Sequence, residues 1–182
     1  MRHADFEKSL MDTALGCGAA DAGVTAADSI VFRREFRAAC EQNLCGKFGK
    51  CWMCPPDVGD IDEMIARAKT YSRVLVFSTI GQLEDSYDIE GMQDAARKHN
   101  ALIQTIAGKL SGMLEDPLIL GAGSCHVCTR CAKLDNIPCV HPDKAVPSLE
   151  AHGIAVSQLA EICGMNYING QNTVTYFGGV LF

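Results

Sequence analysis

The sequence predicts an α/β fold, with α+β as the neighbouring class. It reads as one domain over residues 1–182: a mixed sheet, covering helices, two cysteine-rich loops at 40–56 and 125–142, and a C-terminal β-hairpin. Three observations carry that expectation. Stretches with apolar residues at helical spacing alternate with short runs that are apolar at every position, the pattern of strands buried on both faces. No repeat and no long linker divides the chain, and 182 residues with 48% hydrophobic content are enough for a sizeable core. The ten cysteines are concentrated, most of them in two short segments rich in turn formers.

Taken in order, residues 4–15 place Phe6, Leu10, Ala14 and Leu15 at helical intervals, and Gly16 and Gly18 end that helix. Ala19 to Ala27 reads as a strand with Ala20, Ala22 and Val24 on one face. Cys17, in the turn between, has no cysteine neighbour at ligand spacing and reads as a small buried hydrophobe. Residues 30–39 read as a short helix leading to Cys40. Asp60, with Glu63 three positions on, caps a helix running to Lys69 whose inner face is Ile61, Met64, Ile65 and Ala68. Arg73 to Thr79 is a strand with the doubly buried core Val74-Leu75-Val76-Phe77.

Gly81 to Ile89 is polar and acidic, with Glu84, Asp85 and Asp88, and reads as a solvated loop. From Glu90 to about Leu114 helical spacing is sustained longest. His99 lies on the apolar side of that helix and reads as a hydrogen-bonded core histidine. Pro117 stops it before a short buried strand, Leu118 to Leu120. Ile154 to Cys163 is a last helix closed by Gly164, with Cys163 packed in the core. Asn169-Gly170 between β-favouring runs predicts the terminal hairpin.

The sulfur groups carry the chemistry. Cys125, Cys128 and Cys131 recur every three residues, and Cys139 follows after seven more. A zinc knuckle takes one C-x2-C pair and finds its second pair well away, whereas C-x2-C-x2-C wraps three corners of a cubane. The first reading is therefore a [4Fe-4S] cluster, and Zn²⁺ the alternative. Cys40, Cys45, Cys51 and Cys54 form C-x4-C-x5-C-x2-C ahead of Pro55 and Pro56, with Gly46 and Gly49 turning the backbone between ligands, and the same two readings apply. One or two clusters are thus expected.

Trp52, between two ligands, either shields a cluster from water or packs in the core. Lys47, Lys50, Arg130 and Lys133 either stabilise the thiolates or are ordinary solvated surface. His126 and His141 either ligate in a mixed site or, since four cysteines already complete a coordination sphere, stand beside the metal or on the surface, which is the preferred reading.

Other classes are disfavoured. A net charge of −6 without a basic stripe argues against nucleic acid as a partner. No run approaches the roughly 20 apolar residues of a membrane span. The first residues lack the apolar centre of a signal peptide, so a cytoplasmic location is expected. No Ser-His-Asp arrangement, phosphate loop or dinucleotide fingerprint is discernible, and Gly16-Cys17-Gly18 is too short to count as one.

Three stretches together resemble an uncharacterised cysteine-rich family of predicted metal-binding proteins of unknown function. They are Cys40 to Pro56, Leu120 to Glu150 with its Gly-Ser-Cys-His-Val-Cys-Thr-Arg-Cys core and Pro-Ser-Leu-Glu-Ala-His-Gly follow-on, and the Thr-Tyr-Phe-Gly-Gly tail. The resemblance implies metal binding by the eight cysteines at those positions, and no particular reaction. The second group is also loosely similar to bacterial ferredoxin loops, from which it departs in having seven residues rather than three before Cys139. The expected role is electron transfer, with a redox partner protein or a small organic cofactor. The alternatives are a zinc-stapled binding module and a small enzyme using one cluster iron as a Lewis acid.

Overall fold

Burial on both faces sets the centre of the fold: Val74, Leu75, Val76 and Phe77 are all fully enclosed. The computed structural model describes residues 3–182. Its elements are α1 (His3–Gly16), β1 (Asp21–Ala26), α2 (Glu35–Glu41), α3 (Ile61–Ala68), β2 (Arg73–Gln82), α4 (Ile89–Leu110), β3 (Leu118–Leu120), α5 (Val156–Ile162) and β4 (Thr173–Leu181). Short 3-10 turns lie at Ala27–Ser29, Ala132–Asp135 and Glu150–His152. No described helix is long and apolar enough to cross a membrane.

The sheet has the order β1-β2-β4-β3. Alternation along β2 sends neighbouring side chains to opposite faces. Leu75 and Phe77, with Val180 of β4, meet Leu10 and Ala14 of α1 and Ile103, Ile106 and Leu110 of α4. On the other face Val74 and Val76 meet Ala68 of α3, Leu159 of α5, and Leu149 and Ile154 from the chain between β3 and α5. Helices therefore cover both faces, as the α/β reading requires.

Two expectations are corrected. The sheet is not mixed: every pairing between its strands is antiparallel. β2, α4 and β3 do form a crossover that leaves β2 and β3 pointing the same way, but β4 inserts between them and runs against both. Nor is the C-terminus a hairpin. Gly170 makes its turn at φ +107°, yet only the run after it becomes a strand. Tyr167, before the turn, stacks on Phe177 at 5.6 Å instead of pairing along the backbone.

Other elements follow their local signals. Asp60 accepts from the N–H groups of Asp62 and Glu63 and so caps α3. Asp88 of the acidic loop has a structural task, accepting from Gly91 N–H at 2.8 Å to cap α4. His99 is fully buried and shares a 2.9 Å hydrogen bond between Nδ1 and the Thr79 hydroxyl. Cys17 packs at the edge of the α1–α4 core. Cys163 lies against β1 so closely that a Cβ at Gly23 would stand 2.9 Å from its own.

The paired glycines of β4 let both layers approach the sheet. A Cβ at Gly178 would stand 2.5 Å from the Phe77 ring, and one at Gly179 would stand 3.2 Å from Leu149 on the opposite face. Gly178→Ala should therefore cost about 1–3 kcal/mol through displacement of Phe77, read as a lowered urea midpoint. Burial lowers the pKa of His99 to about 4, below the roughly 6.5 of an unfolded histidine. As pH falls the unfolded chain takes up this proton first. The stability contributed by neutral His99 is full above about pH 6.5 and is lost from there down to about pH 4. Urea midpoints measured across that window should fall steeply in the native chain and less steeply in His99→Asn.

Candidate metal centre

Both cysteine loops are anchored to one buried segment, residues 148–155. After β3, Gly121 N–H donates to the Pro147 carbonyl and Leu149 N–H donates to the Gly121 carbonyl, each at 2.9 Å. These bonds close the base of the loop that carries Cys125 to Cys139. On the other side Arg33 N–H donates to the Gly153 carbonyl at 2.6 Å, and Ala155 N–H donates to the Val31 carbonyl at 2.9 Å. That pairing holds the approach to α2 and Cys40. It also explains why the helix predicted over 30–39 begins only at Glu35: residues 31–33 are extended to pair. Gly153 permits the approach, with φ +71° and no room for a Cβ, which would stand 3.0 Å from the Arg33 carbonyl oxygen.

The grouping of sulfurs in space cuts across the loops. Cys54 N–H donates to the Cys51 carbonyl at 3.0 Å, making a tight turn whose two thiols touch each other yet line different hollows. Cys51 joins Cys125, Cys128 and Cys131 around a hollow of about 180 Å³ that also receives Lys47, Lys50, His126 and Arg130. Cys54 joins Cys40 and Cys45 around a separate hollow of about 200 Å³, together with Phe48, Ser148 and Glu150. Cys139 and His141 join the same four cysteines, Cys51, Cys125, Cys128 and Cys131, at a narrow cleft of about 20 Å³, room for about one water. All eight predicted ligands thus lie at neighbouring cavities, seven of them on the two wide ones.

Clasps between the loops hold this arrangement. Trp52 Nε1–H donates to the Ile137 carbonyl at 2.9 Å, so one loop's tryptophan is fixed by the other's backbone. Lys133 lies 4.3 Å over the Trp52 ring and pairs with Asp57, a contact with both side chains mostly buried. Trp52 is therefore an inter-loop fastener at the edge of the narrow cleft. Arg130 lines the first hollow and is paired with Asp135 at the surface.

Cys51 is the electrostatic hinge between the groups. The Cys54 thiol donates to it, as do the Met53 and Cys125 N–H groups and the Cys131 thiol, and together they lower its pKa to about 6 against the cost of burial. Donation to Cys51 and burial hold Cys54 well above the usual thiol range. Burial raises Cys125 and Cys40 as well, with Arg37 opposing the shift at Cys40. The group is thus ready with one thiolate at neutral pH, and the remaining thiols lose their protons when a metal replaces them.

The donor chemistry fits a thiophilic metal: all ten cysteines are free thiols, and the two groups present sulfur into hollows that can hold more than a water. Among the described residues no three His, Cys, Asp or Glu side chains stand close enough to hold a single metal ion. Sequence reasoning passed over Glu150, which lines the hollow of Cys40, Cys45 and Cys54. Its only local signal was its place directly after the second loop, in Pro147-Ser-Leu-Glu150.

The grouping makes a graded prediction. Cys128→Ser should remove about half of the bound metal, Cys51→Ser at least as much, Cys139→Ser distinctly less, and Cys163→Ser none, as measured by metal analysis per chain.

Comparison with known proteins gives no match among curated proteins and none among solved structures. One family model matches residues 24–182, which takes in both cysteine loops and the Gly178-Gly179 strand. The chain belongs to that family, described as predicted metal-binding protein (DUF2284).

Proposed function

We propose that this chain is an iron–sulfur protein with two adjacent [4Fe-4S] centres, and that it passes single electrons to a redox partner protein or a small organic cofactor. Cys51, Cys125, Cys128 and Cys131 hold one centre, and Cys40, Cys45 and Cys54 hold three corners of the other. The observation that carries this reading is the Cys51–Cys54 turn, which sends neighbouring sulfurs into different hollows. A staple for one zinc has no use for that division.

Spacing supports the same choice. Four thiolates on one zinc, with Zn–S near 2.3 Å, lie within about 4 Å of each other. In a cubane each thiolate has its own iron, so the sulfurs stay apart by the size of the cluster. The Cys51 thiol touches those of Cys54 and Cys131, but no three His, Cys, Asp or Glu side chains among the described residues are grouped for one ion, which supports the second arrangement. When bound, such clusters supply one-electron exchange at little structural cost.

The chain's own residues set the surroundings. Buried Cys51 and Cys54 keep the space between the centres dry, and the Trp52–Lys133 clasp limits movement of one loop against the other. Leu44, Leu134, Ile137 and Val140 on the two loops are exposed, which supports a weakly held protein partner docking beside the sulfurs.

Anaerobic purification after iron-replete expression should give a brown protein with about eight irons and about eight sulfides per chain, bleached by dithionite. The reduced sample should show EPR signals broadened by coupling between neighbouring centres. A colourless preparation, or zinc alone, overturns the proposal.

A further inference from the structure

We propose that the Glu150 carboxylate is the fourth protein ligand of the centre built on Cys40, Cys45 and Cys54, so that one iron of that cluster is bound by oxygen rather than sulfur. The inference rests on the iron–sulfur reading above and adds the identity of the missing ligand.

The hollow around Cys40, Cys45 and Cys54 offers three sulfurs where a cubane has four corners. No spare thiol is at hand. Cys51 is turned toward the other group, and Cys139 lines the narrow cleft on that group's side. Glu150 borders the three-sulfur hollow, close enough to Cys40 for its charge to act on that thiol.

One face of the carboxylate is fixed. Glu150 is held by the Ser148 side chain and by its own backbone N–H, while the Ser148 hydroxyl accepts from Ala151 N–H at 3.0 Å. The other oxygen, Oε2, is buried and has no hydrogen-bond partner in the structure. A buried carboxylate oxygen without a donor is a costly arrangement that persists when a cation completes it. The nearby cation of the chain does not do so. Arg37 directs its Nη atoms to the Gly59 and Ala151 carbonyls and to the Met64 sulfur. Iron prefers thiolate in clusters but also binds carboxylate oxygen, as in its two-histidine-one-carboxylate sites, so the orphaned oxygen and the missing corner answer each other.

The segment's geometry makes the ligand rigid. Glu150 opens the 3-10 turn Glu150–His152, between fully buried Leu149 and nearly buried Ala151. A ligand so placed has little freedom to swing out, which separates it from a loop carboxylate that visits the iron by chance.

The test is Mössbauer spectroscopy of the full chain, purified anaerobically with ⁵⁷Fe, alongside iron and sulfide counts. In the native chain about one iron in eight should form a separate subsite with a higher isomer shift than the thiolate-bound irons. Glu150→Cys should abolish that subsite while iron and sulfide stay near eight. Glu150→Gln, close in size, should lose about one iron per chain to a chelator that leaves the native centres intact. A native spectrum with thiolate-bound irons only overturns the inference without any variant. So does a distinct subsite that survives in both variants, which assigns the corner to water or a serine. A native chain without iron and sulfide sinks the underlying reading as well, and iron content tells these failures apart.

Discussion

The pairing of residues 148–155 with two distant stretches is the constraint on which the rest of the structure depends. Through Gly121 and Leu149 this segment closes one cysteine loop, and through Gly153 and Ala155 it aligns the approach to the other. Its side chains are the cover of one sheet face: Leu149 and Ile154 are fully buried against β2 and β4. Removing that cover would expose apolar surface and release both loops at once. The two cysteine loops thus leave from and return to a packed layer.

Placement of the sulfurs follows from that anchoring together with the turn at Cys51–Cys54. Two residues of separation in sequence become a separation into two cavities, because the turn points one thiol toward Cys125 and Cys131 and leaves the other facing Cys40 and Cys45. The contact between Cys51 and Cys54 then links the two groups of sulfurs directly.

Much of the fold was legible in the residues, and the limits are instructive. Asp60 with Glu63, the run Val74 to Phe77, and Leu118 to Leu120 announce their elements because the causes are local: a cap, a doubly buried strand, a proline stop. The C-terminal strand defeats local reasoning. Its partners, β2 and β3, are remote, and nothing in Asn169-Gly170 says that the run before the turn is taken up by ring stacking. The start of α2 was misplaced for the same reason, since residues 31–33 answer to Gly153 and Ala155. At the site, spacing identified the eight cysteines as ligand candidates but sorted them by loop. Interleaving of loops is a tertiary fact, and so is a carboxylate whose second oxygen has no donor.

The joining of Cys51 with Cys125 has one more consequence. About seventy residues lie between them, including the central strand β2 and the long helix α4. A metal bridge across that interval would behave like a covalent cross-link closing a long loop, which by analogy with disulfides removes about 4 kcal/mol of chain entropy from the unfolded ensemble. Such a bridge would close only after the sheet has brought its two ends together, and metal held there would report that the middle of the chain has folded.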